Sequence, residues 1–191
     1  MSIVLQGSTS GSITLQEPAI AGSTVLSLPA TSGTLITTGS TGQVIPKAAL
    51  PTGSVLQVVQ AQYSSQSATS SNIFTDTGLT ASITPTSATS KILVLATVNG
   101  LEKSNGNNNN SVGLKLVRNS TDLSTYIVFA GWTNSLFSLI TPSGVINYLD
   151  SPATTSSTTY KVQFRNEQNA SAVYVQSSGS ISFIVLMEIA A

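Results

Sequence analysis

The residues able to do chemistry in this 191-residue chain are few, and their types restrict what that chemistry can be. Histidine and cysteine are both absent. Without imidazole there is no Ser-His-Asp triad and no histidine general acid or base. Without thiols there is no disulfide scaffold, no thiolate nucleophile and no preferred zinc ligand set. The carboxylates are Glu17, Asp76, Glu102, Asp122, Asp150, Glu167 and Glu188. A glycosidase needs two such groups about 5 to 9.5 Å apart, and none of these lies close to another along the chain. No regular spacing of oxygen ligands suits calcium, and no glycine-rich phosphate loop is present. The expectation is a protein that is not an enzyme, with no catalytic residue, no metal and no cofactor.

Binding chemistry is better represented. Asn105, Asn107, Asn108, Asn109 and Asn110 fall in the segment Leu101–Asn110, whose amides can donate and accept hydrogen bonds to a sugar. They are candidate receptor-contact residues. The plainer alternative is a solvated strand connection, because Asn and Gly tolerate left-handed backbone. Trp132 is the sole tryptophan, in Ala130–Asn134. On a loop it can stack on a sugar ring or anchor an interface; inside the fold it simply fills the core. Asn119-Ser120-Thr121 and Asn169-Ala170-Ser171 match the glycosylation sequon, and without a secretory signal both read as chance matches.

Charge argues in the same direction. Charged residues make up 7% of the chain and the formal net charge is +0, against a usual charged share of about 25%. No field draws the protein to nucleic acid or to an anionic membrane, and nothing repels identical copies. Phe183–Met187, the longest strongly apolar run, is far too short to insert across a bilayer. Met1–Leu5 lacks the basic start and long apolar stretch of a secretory signal.

The elements that must position these residues fall into two parts. Residues 1 to about 50 hold no aromatic residue and carry a short repeat. Gly11, Gly22 and Gly33 recur every 11 residues, Leu15 matches Leu26, and Pro18 matches Pro29. Each unit reads as a short strand, Ser12–Gln16 and Ser23–Leu28, closed by Pro and restarted by Gly. One such strand cannot bury an apolar face alone, so the repeat requires a neighbour. Residues 51–191 instead read as a globular β domain. Expected strands include Val55–Val59, Lys91–Val98, Val112–Arg118, Tyr126–Ala130, Leu136–Ile140, Val145–Leu149, Tyr160–Phe164, Val173–Gln176 and Ile181–Ile189. The alternation puts Val112, Leu114 and Leu116 inward and Val117 outward, and the apolar tail Phe183–Met187 is expected to be buried. No stretch has a helical period. The fold class is therefore all-β: an extended β-repeat stem or arm, then a jelly-roll-like antiparallel β-sandwich.

A resemblance enters at these residues. GSITLQEPAIAGSTVLSLPATSGTLIT resembles the stem repeats of phage tail-fibre and other virion appendage proteins. GSVLQVVQ at 53–60, LTASITPTSATSKILV at 79–94, LDSPATTSSTTYKVQ at 149–163 and ISFIVLMEIAA at 181–191 resemble a trimeric-fibre head domain of bacterial phages. The resemblance implies a virion surface protein, a homo-oligomer with a trimer as first expectation. It implies docking by the N-terminal arm on other virion proteins of tail, baseplate or capsid, and contact with a host surface glycan or protein. The alternatives are a capsid decoration protein that cements the shell and, less favoured, a glycan-degrading tailspike. The resemblance carries over no functional residue.

Overall fold

Strands form along this chain wherever apolar and hydroxyl or amide residues alternate, because successive side chains of a strand point to opposite faces. The computed structural model describes residues 3–6, 9–10, 12–15, 50–106, 108–168 and 170–191. The chain divides into two compact units, Met1–Val44 and Ile45–Ala191. In the first, β1 (Ile3–Gln6) pairs antiparallel with β2 (Ser12–Leu15), Ile3 opposite Leu15. The expected strand of the first repeat is thus present to Leu15, and its partner is a preceding strand that the repeat pattern does not reveal. Gly11, Pro18, Gly22, Leu26, Pro29 and Gly33 lie outside the described residues.

The second unit is a β-sandwich of two antiparallel sheets. Its strands are β3 (Val55–Tyr63), β4 (Ser67–Thr69), β5 (Thr75–Ile83), β6 (Lys91–Lys103), β7 (Val112–Arg118), β8 (Thr121–Ala130), β9 (Leu139–Asp150), β10 (Thr158–Asn166), β11 (Val173–Val175) and β12 (Ser182–Ile189). The smaller sheet runs β5-β10-β7-β8. The larger runs β3-β12-β6, with β9 on the other edge of β6. β11 and then β4 continue it where β6 extends past β12. Between the sheets lies one core, in which Ile92, Val94, Val98, Ile184 and Leu186 join Leu114, Leu116, Tyr160, Val162 and Phe164.

Three expectations are corrected. β9 is one strand where the sequence suggests two, because Thr141, Ser143 and Gly144 continue its pairing with β6 on either side of Pro142, at the edge of the sheet, where a proline is tolerated. Val117 is buried, not outward. The tail alternates: Ile184 and Leu186 are buried, while Phe183, Val185 and Met187 turn to the outer face and are half-buried.

β6 also changes phase. Ile92, Val94, Ala96 and Val98 point inward, and then Leu101 and Lys103 do. The shift occurs at Gly100, whose φ of +63° suits glycine and where an added Cβ would stand 2.6 Å from the Ser177 backbone nitrogen. Backbone cannot swing aside as a side chain can. Gly100→Ala is therefore expected to cost about 1–3 kcal/mol, read as a lower urea midpoint with the denaturant slope unchanged.

Candidate functional site

The phase shift in β6 delivers Lys103 inward at the point where the strand ends. Three connections meet there: residues 104–111 between β6 and β7, residues 131–138 between β8 and β9, and residues 167–172 between β10 and β11. Lys103 is fully buried. Its Nζ donates to the Asn108 carbonyl at 2.9 Å, to Thr133 Oγ1 at 2.6 Å and to the Ser135 carbonyl at 3.0 Å. An ammonium has three protons, and each here has an acceptor. The Phe137 ring lies 5.6 Å from the same nitrogen, within cation–π range. All three acceptors are neutral, so burial lowers the Lys103 pKa below the ordinary lysine value. One cation thus ties the Asn-rich connection to the connection that bears Trp132.

A second tether is made of amides. Asn110 and Asn166 are both buried. Asn166 Nδ2 donates to Asn110 Oδ1 at 3.1 Å and also to the Ser171 carbonyl, while Asn166 Oδ1 accepts from the Gln168 backbone at 2.9 Å. Backbone bonds from Ser104 to Ala172 at 3.1 Å and from Glu167 to Ser111 at 3.0 Å complete the link to the third connection. Such buried networks hold loops in one arrangement because an unpaired amide in low dielectric is costly.

Against this frame the candidate contact residues separate. Asn105, Asn108 and Asn109 are exposed. Asn107 lies outside the described residues. Asn110 is corrected: it is buried and structural, so it offers no amide to a partner. Leu101, Glu102 and Lys103 belong to β6, not to the connection. Trp132 is on a loop and 50% exposed, which removes its core alternative. It follows a tight turn in which the Trp132 backbone donates to the Phe129 carbonyl at 3.0 Å. Phe129 itself has φ +61°, a strained setting for a bulky residue. Phe129, Leu136 and Phe137 are exposed in the same segment. The sequence reading missed these three and Lys103. By position Lys103 is out of phase with Ile92, Val94, Ala96 and Val98, and only the shift at Gly100 turns it inward, so no local pattern marks it.

The described carboxylates are dispersed. Asp76 holds Lys161 and Gln163, Asp122 holds Lys115, Glu167 holds Arg165, Asp150 holds Arg118 and Tyr160, and Glu188 holds Gln57 and Thr86. Among the described residues no group of acidic side chains is placed to hold a metal ion. The loop end can therefore offer stacking surface and amide hydrogen bonds. No protein-family model matches the chain, and no curated protein does either.

Proposed function

We propose that the chain is a structural component of a virus particle, an oligomeric fibre or surface appendage, trimeric as the first expectation, that meets a host surface with the loop end of its sandwich. The observation that carries this reading is strand order. β3-β12-β6-β9 packed over β5-β10-β7-β8 follows two interlocked Greek keys, which supports a jelly roll, an architecture common in viral shells and lectins. The path of the chain adds support. It enters β3 at Val55, beside Ile189, which in turn pairs with Lys91. That is the far end of β6 from Lys103, about 40 Å away at the usual strand rise. The chain thus enters the sandwich at the end of β6 opposite the loop end, which suits a projecting appendage. The low charge implies a partner held by stacking and amide hydrogen bonds, a glycan or a protein surface, with little dependence on salt.

A cryo-EM map of the particle is expected to contain the sandwich as projecting density. Density lying flat between shell subunits would overturn the appendage reading in favour of a decoration protein. For the contact itself, Trp132→Ala combined with Asn108→Ser is expected to lower adsorption to host cells about tenfold or more, since a stacked tryptophan is a typical anchor and several copies amplify each loss. Both side chains are exposed, so particle assembly is expected to be unchanged. Normal adsorption by such particles would remove the loop end as the contact.

A further inference from the structure

The outer face of the larger sheet is apolar where a solvated sheet face would be polar. Registers place Val58, Met187, Leu93 and Leu149 in one row across β3, β12, β6 and β9. The next row is Gln60, Val185, Leu95 and Asn147. A third runs Gln62, Phe183, Thr97 and Val145. No residue of these rows is charged. Val58, Val145 and Leu149 are 56%, 54% and 52% exposed. Four strands wide and three rows deep, the face measures about 400 Å² in projection. That is within the roughly 300–600 Å² of the largest patches on monomers, which are often functional, and it supplies about half of the roughly 800 Å² that each partner buries in a standard interface.

We infer that this face is covered by another copy of the same chain, with β9 of one copy against β3 of the next. The row pattern names the occupant. A rotation axis parallel to the strands, two-fold or three-fold, keeps rows level from copy to copy. Val58 then meets Leu149, apolar on apolar. Gln60 meets Asn147, amide on amide, so the polar groups at the two margins of the face satisfy each other. Zero formal net charge leaves nothing to oppose the contact. The inference rests on the oligomeric reading above and gives it a surface.

Met187 provides the test, because it lies in the first row and its thioether reacts with peroxide only when reached. The full-length protein would be exposed to hydrogen peroxide and Met187 oxidation followed by mass spectrometry. Gln60→Glu with Asn147→Glu sets like charges across the contact at two exposed polar positions that leave the core untouched. This variant is expected to oxidise Met187 about tenfold faster than the parent protein does. Gln60→Lys with Asn147→Glu sets opposite charges there and is expected to return the parent rate. Light scattering is expected to give the parent protein a multiple of 19.6 kDa. Equal rates in the parent and the doubly acidic variant, no recovery in the Lys/Glu variant, or a parent mass of one chain would each overturn the inference. An oligomer with an open face leaves the virion reading intact, whereas absence of the chain from purified particles removes that reading without bearing on the face.

Discussion

Asp150→Ala is expected to destabilise the sandwich by about 3–5 kcal/mol, the range for breaking a buried ion pair from one side. Asp150 closes β9 and is 5% exposed. Its two oxygens accept from one nitrogen of Arg118, each at 2.8 Å, and Oδ2 also accepts from the Tyr160 hydroxyl at 2.6 Å. The hydrogen bond with Asp150 raises the Arg118 pKa, and burial followed by that carboxylate raises the Tyr160 pKa. Both donors therefore stay protonated across the accessible pH range. Alanine would leave the fully buried Tyr160 hydroxyl without its acceptor and the Arg118 guanidinium, partly exposed, without its carboxylate. Tyr160→Phe removes one donor and leaves Asp150 paired, so about 1 kcal/mol is expected. Asp122→Ala breaks only the surface pair with Lys115, where Asp122 is 64% exposed, and less than about 1 kcal/mol is expected. Urea unfolding of the three variants would rank them. A loss for Asp150→Ala no larger than for Asp122→Ala would contradict the buried network.

Acid is expected to remove about 3 kcal/mol of stability through Glu188 alone. Burial by itself would raise this carboxyl, but hydrogen bonds from Thr86, Gln57 and Ser90 outweigh it and hold the pKa at about 2 against an ordinary 4.5. Gln57 Nε2 donates at 2.6 Å, and the Thr86 backbone and hydroxyl each donate at 2.7 Å. The folded pKa is depressed, so the stabilisation is complete above the unfolded value, near pH 5, and is lost as pH falls from there through about 2. A difference of roughly 2.5 units corresponds to about 3 kcal/mol. Glu188→Gln turns one of these acceptors into a donor that faces the Gln57 amide. It is expected to lower stability at neutral pH and to flatten the dependence between pH 5 and 2. Parallel curves of urea midpoint against pH for the two proteins would show that Glu188 is not the group responsible.

Much of the sandwich is legible because alternation is a local signal. β7 and β10 are predictable almost to their ends, since Leu114, Leu116, Tyr160, Val162 and Phe164 occupy every second position. What escapes depends on contacts distant in sequence. β4, Ser67–Thr69, has no apolar pattern and exists only because β11 pairs with it. β9 tolerates Pro142 because of its edge position, and edge position is a property of topology. The role of Asn110 is set by Asn166, 56 residues away, and nothing local distinguishes it from its exposed neighbours. Trp132 and Asn108 were visible as chemistry, but the lysine that brings their two connections together was not, because its acceptors come from both.

The kind of atoms that Lys103 grips has a bearing on how this loop end can change over generations. Of its three acceptors, two are main-chain carbonyls, at Asn108 and Ser135, and only Thr133 contributes a side chain. Main-chain carbonyls persist through almost any substitution. The exposed positions around them can therefore exchange asparagine for other residues, or one aromatic for another, without loosening the clasp beneath. A selective pressure that keeps shifting the target would find a surface free to be rewritten on a fastening that does not register the change.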